Sequence, residues 1–141
     1  MSKIPVKLSI VGIQNYAGQD PDRIELLTDG TLELRGDVWE IAYEESELTG
    51  LEGVTSIFRV SPRGVTLRRS GRLQSQMIFQ EGISHDSLYQ LEFGALMITV
   101  TATKVTYDLT EDGGTIDLVY HIEIEQNAAG VIDYHLDIKA K

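Results

Sequence analysis

Apolar and polar residues alternate along most of this chain, and that two-residue period is the feature that most restricts its fold. Side chains of an extended strand point to opposite faces in turn, so strict alternation describes a sheet with one dry and one wet face. Ile4, Val6, Leu8 and Ile10 alternate in this way, as do Trp39, Ile41 and Tyr43, and Val65 and Leu67. The pattern is cleanest in two late runs, Ile116–Leu118–Tyr120–Ile122–Ile124 and Ile132–Tyr134–Leu136–Ile138. Composition supports the same reading. The chain holds 14 Ile, 10 Val and 11 Thr among its 141 residues. These β-branched side chains are stiff at χ1 and suit strands better than helices.

Short glycine-bearing segments punctuate the runs: Thr28-Asp29-Gly30, Arg35-Gly36-Asp37, Ser61-Pro62-Arg63-Gly64, Asp112-Gly113-Gly114 and Asn127–Gly130. Each reads as a hairpin turn, where glycine supplies positive φ. Longer connections run over 46–53 and 82–94. Strands are expected near 3–14, 22–28, 31–35, 38–45, 54–61, 65–70, 73–80, 95–109, 115–126 and 131–139. No long 3.6-residue period is present, and Ser84–Leu91 has room for one helical turn at most. The expectation is an all-β single domain over residues 1–141, an antiparallel up-and-down barrel of about eight to ten strands, since closure removes the exposed sheet edges.

Charge narrows the partners. Twelve basic against 22 acidic residues give a net charge of −10 and a pI near 4.6. Nucleic acid and anionic membrane surfaces are therefore not expected partners, because binding to them starts from a basic surface. There is no cysteine, hence no disulfide framework and no thiolate chemistry, and a cytoplasmic location is the natural expectation. Lys3, Pro5 and Lys7 interrupt the first residues, so no signal-peptide core is expected there. No run approaches the roughly 20 apolar residues of a membrane helix.

Scattered motifs add a family resemblance. They are Glu44-Glu45 to Gly50-Leu51-Glu52-Gly53-Val54, Val65-Thr66-Leu67 to Arg69-Ser70-Gly71, Ser75-Gln76-Met77 to Phe79, and Gly82 to His85. Phe93-Gly94, Asp112-Gly113-Gly114 and the tyrosine-rich closing hairpin belong with them. Together they resemble the YwiB-like family of small bacterial proteins of unknown function. The resemblance implies a calycin-like barrel, akin in shape to lipocalins, and brings no catalytic residue with it.

Candidate chemistry rests on parity and charge. From Asp20 to Glu52 there are 11 acids and two arginines; from Gly53 to Gln80 there are five arginines and no acid. Arg59, Arg68 and Arg72 would form a basic patch if their strands adjoin, or would pair with the acidic hairpins as ordinary surface. Arg69 shares parity with Val65 and Leu67, and Glu45 with Trp39, Ile41 and Tyr43, so both are expected to point inward. Two readings stay open: an anchor for an acidic ligand, or an internal ion pair that fixes register. Met77 and Phe79 are expected in the core. His85 is expected as a capping or surface residue that, with Tyr89, would gate a ligand at the barrel mouth. A closing turn at Asn127-Ala128-Ala129 sets His121 opposite His135 and Glu123 opposite Asp133, a set that suits a divalent ion weakly, so no resident metal is expected.

No nucleophile elbow, phosphate-binding loop or carboxylate dyad stands out, so enzymatic activity is the least favoured class, and no cofactor is expected. The first functional expectation is a non-enzymatic barrel holding a small anionic or amphipathic molecule at Arg69, Glu45, Tyr43, Trp39, His85 and Tyr89. The rival expectation is a filled barrel acting through a protein partner or as a homodimer.

Overall fold

The computed structural model describes residues 3–16, 18–45, 52–91 and 93–141; the connection over 46–51, with its Gly50-Leu51 motif, lies outside them. Ten strands run in chain order: β1 Ile4–Tyr16, β2 Asp22–Arg35, β3 Val38–Glu44, β4 Val54–Ser61, β5 Gly64–Gly71, β6 Ser75–Phe79, β7 Ser84–Leu91, β8 Gly94–Thr110, β9 Gly113–Ile124 and β10 Asn127–Ala140. No helix occurs among the described residues. The hydrogen-bonded order is β6-β5-β4-β3-β2-β1-β10-β9-β8-β7, so the first strand joins the last and every ladder is antiparallel. The result is the expected all-β up-and-down barrel, closed except at the β6–β7 seam. There Gln74 bridges Gln90 at one end and Gln80 bridges Ile83 at the other, with no ladder between. The turn end is tied to β8, where the Gly82 N–H donates to the Ala102 carbonyl (2.9 Å) and the Val105 N–H to Glu81 Oε1 (2.9 Å).

The dry faces meet inside. Val6, Leu8, Ile41, Phe58, Val60, Val65, Met77, Phe79, Ile116, Leu118, Leu136 and Ile138 are all buried, as alternation requires. Ile122 is only partly buried against the same cluster.

Three local expectations are overturned. Thr28-Asp29-Gly30 is not a turn: β2 runs straight through it and joins the strands expected at 22–28 and 31–35. Gly30 pairs with Val6 on one side and Tyr43 on the other. A Cβ there would lie 2.4 Å from the Ala42 carbonyl oxygen, so this glycine serves close packing between strands. Ser84–Leu91 is strand, not loop or helical turn. It pairs with β8 along its length, from Ser84 opposite Thr101 to Leu91 opposite Gly94. Its inward positions include His85, Ser87 and Tyr89, half-buried and polar enough to hide the alternation. The last hairpin turns at Glu125-Gln126, both at positive φ (51° and 67°), with a bulge between Ala128 and Gly130. A two-residue turn of this hand favours Gly or Asn, and neither residue marks the site.

Candidate functional site

One polar row crosses the inside of the barrel. Tyr43 on β3 lies opposite Ser56 on β4, Ser56 opposite Arg69 on β5, and Arg69 opposite Ser75 on β6. Glu45 follows β3, its N–H donating to the Val54 carbonyl at 2.8 Å. Ser56 Oγ donates to Glu45 Oε2 at 2.5 Å. Arg69 Nε stands 3.8 Å from the same oxygen, and the two side chains are 13% and 2% exposed. The parity reading of Arg69 and Glu45 therefore describes a buried ion pair, though a loose one at Nε.

Three buried polar atoms lack a hydrogen bond: Tyr43 Oη, Arg69 Nε and Ser75 Oγ. All belong to this row. Tyr134 lies near enough to Tyr43 to perturb its proton affinity, without a hydrogen bond of good geometry between them. Burial pushes the Tyr43 phenol well up, and Tyr134 and Glu45 add to the shift. Burial likewise raises Tyr120 and Tyr134. These phenols therefore keep their protons at neutral pH and act as donors. Burial opposes the charge on Arg69, but Tyr134, Tyr43 and Glu45 more than offset it and raise the guanidinium pKa.

Two cavities meet at Arg69. One, about 320 Å³, is lined by Arg69, Tyr16, Tyr89, Tyr120 and Tyr134, by Gln14 and Met77, and by the aliphatic Leu96, Ile98, Ile122, Ile124 and Ile132. The other, about 240 Å³, reaches Glu45, Ile10, Ile24 and Leu26, and shares Gln14, Arg69, Tyr89 and Tyr134 with the first. Cavities of a few hundred Å³ with few convergent polar groups are the ordinary form of a small-molecule site. A larger groove of about 630 Å³ lies outside, over β1, β2 and β10. Lys7, Asp29 and Lys139 along it are solvated, so nothing there compels a ligand.

Of the six side chains expected at a site, Arg69, Glu45 and Tyr89 line the cavities. Tyr43 is buried behind them, stacked on Phe58 with ring centroids 6.4 Å apart. Trp39 packs against the core, and His85 bonds to Gln80 (2.7 Å) near the β6–β7 turn. Parity puts Tyr120 and Tyr134 inside as core, and does not by itself mark their place beside Arg69 or that of Ser56 and Ser75.

The other candidates resolve as surface. Arg59 pairs with Glu40 at 3.0 Å and Arg72 Nε donates to the Glu52 carbonyl at 2.7 Å, so the arginines answer the acidic segment. His121 lies opposite Val131, not His135, and Asp133 opposite Val119. The register differs from the expected one by an even number of residues, which keeps each side chain on its expected face but changes its neighbour. Among the described residues no group of three His, Cys, Asp or Glu is placed to hold a metal ion.

His135 instead sits between two carboxylates, Nδ1 at 2.6 Å from Asp117 and Nε2 at 3.0 Å from Asp137. Only the imidazolium can donate to both, and the Asp117 hydrogen bond leads in raising the His135 pKa above its usual value of about 6.5. A raised folded pKa stabilises the protein fully below the unfolded value, and the effect is lost as pH rises through the folded one. We expect wild type to melt above His135→Gln in mild acid and the difference to vanish in alkali. The effect is small because the imidazole is partly solvated. Melting temperatures across that range check it; a gap that widens with pH contradicts it.

The chain matches known proteins over nearly its whole length. Residues 8–138 match the family described as Domain of unknown function (DUF1934). The uncharacterized beta-barrel protein YwiB of Bacillus subtilis is 26% identical over 120 residues, covering 85% of this chain and 82% of that protein. The crystal structure of that ywiB protein superposes with a TM-score of 0.89 at 22% identity, over 99% of this chain and 93% of the other. The likeness shows the fold.

Proposed function

The chain belongs to the DUF1934 family of domains of unknown function, and from the geometry of its interior we propose that it is a cytosolic, non-enzymatic barrel that holds a small anionic, amphipathic molecule. One observation carries this reading. Arg69, nearly buried and without a hydrogen bond at Nε, lies where two cavities meet. A buried guanidinium cannot shed its charge, so it seeks acceptors, and Glu45 does not reach Nε at 3.8 Å. The phenols of Tyr120 and Tyr134 are further donors beside it, and the aliphatic residues of β8, β9 and β10 would take an apolar body.

Native mass spectrometry of the purified protein should retain a small molecule, and a fluorescent anilinonaphthalene sulfonate should bind inside. The double variant Glu45→Gln, Arg69→Met keeps the interior neutral and should lose that binding; unchanged binding overturns the reading. Tyr43→Phe is the matched control. It removes a hydroxyl that makes no hydrogen bond of good geometry and lines neither cavity, so stability should change by no more than about 1 kcal/mol while probe binding holds.

A second reading has its own support. Leu88 and Met97 lie opposite one another on the outer face, 47% and 37% exposed, and Phe93 between their strands is 88% exposed. Such a patch suits a homodimer contact, which the subunit count in the same spectra tests.

A further inference from the structure

We propose that Glu45 sets the charge of the molecule that the interior accepts, admitting one negative charge and excluding two. The inference rests on the ligand-binding reading above and names the class of ligand: an amphiphile with a monoanionic head, such as a carboxylate or a sulfate ester, and not a phosphate monoester.

Among the described residues, Arg69 and Glu45 are the charged side chains that line the two cavities. At 3.8 Å they form a pair of zero net charge. Among the described residues, the groups that face Glu45 include Tyr43 from β3, Ser56 from β4, Arg69 from β5 and Tyr134 from β10. None of these but Arg69 is a cation. The phenols hold their protons, because burial raises them. His85, also on an inward position, is engaged with Gln80 and lines neither cavity.

A head seated on Arg69 therefore meets one cation and, a few ångströms behind it, one fixed anion. A monoanion gains the guanidinium and the phenol donors against a single repulsion. A dianion doubles the repulsion from Glu45 in a water-poor interior, and no second cation comes to meet it. The geometry leaves room for the first. Glu45 receives Ser56 Oγ and sits deeper than Arg69, so the cavity of about 320 Å³ approaches the guanidinium from the side that Glu45 does not line.

The test compares octyl sulfate with octyl phosphate, the same apolar body under different head charges, by calorimetric titration of the wild-type protein. Near pH 8 the phosphate ester is a dianion, since its second pKa is about 6, and we expect the sulfate to bind at least about tenfold more tightly. Near pH 5 the phosphate ester is a monoanion, and the gap should close while the sulfate affinity stays nearly fixed. In Glu45→Gln the gap near pH 8 should shrink. If neither ester binds, the ligand-binding reading fails. If both bind alike near pH 8, or the gap survives near pH 5, that reading stands and the role of Glu45 is overturned. A gap that stays whole in Glu45→Gln likewise overturns the role of Glu45, while the pH series, which needs no substitution, tests the monoanion preference even if that variant does not fold.

Discussion

Replacing Arg69 with Met should destabilise the barrel by on the order of 3–5 kcal/mol, the cost of breaking a buried ion pair from one side. The guanidinium and carboxylate are 13% and 2% exposed, so Glu45 is the more deeply buried partner. Without Arg69 its charge stays buried with the guanidinium gone from beside it, and the Ser56 hydrogen bond keeps the cost toward the lower end. Adding Glu45→Gln removes the stranded charge and should recover much of the loss, because a neutral amide can still accept from Ser56. Urea unfolding of the two single variants and the double variant closes the cycle, with an unchanged m-value showing that stability alone has moved. A loss in the double variant equal to the sum of the two single losses would show that the two residues do not interact. The coupling reports on the pair and the probe titration on the ligand, so the register-fixing and ligand-anchoring roles are separable in one set of proteins.

How far the site is legible in the sequence depends on what alternation can express. Parity alone turned Arg69 and Glu45 inward, because each shares a face with aliphatic or aromatic neighbours on its own strand. The turn at Pro62-Arg63 also fixes Ser56 opposite Arg69, so that half of the polar row lay within reach of a register argument. Tyr43 did not, since the long connection after β3 leaves the pairing of β3 with β4 unspecified. Tyr134 is harder still. It lies on β10, which shares no ladder with β5, and meets Arg69 across the barrel interior. A two-residue period says which face a side chain takes and nothing of which far strand it meets. The closing hairpin makes the same point, for its faces were read correctly while its turn and every cross-strand partner were displaced. The β7 strand is hidden for a related reason: an inward face carrying His85, Ser87 and Tyr89 at a half-wet seam lacks the apolar period that marks a strand.

Phe58 is a core side chain that packs against two tyrosines of the candidate site, and Phe58→Ala should cost about 3–5 kcal/mol, the range for deleting a fully buried aromatic ring. The ring is 0% exposed. It lies 6.4 Å from the Tyr43 ring at an interplanar angle of 16°, and 5.9 Å from the Tyr134 ring at 41°. Tyr134 lines both cavities, so Phe58 is the wall against which that phenol is set. Truncation to Ala opens a void beside both tyrosines, and a packed antiparallel barrel has little freedom to collapse into it. Phe58→Leu keeps most of the volume and should cost nearer 1 kcal/mol, leaving a folded protein in which the aromatic contact alone is gone. Two measurements then separate packing from positioning. Urea unfolding should rank Ala well below Leu and Leu a little below wild type. Titration with anilinonaphthalene sulfonate should show weaker binding in Phe58→Leu, because a less firmly held Tyr134 presents its hydroxyl less well beside Arg69. If Phe58→Leu binds the probe as wild type does, the ring serves stability alone and Tyr134 is held by its other neighbours.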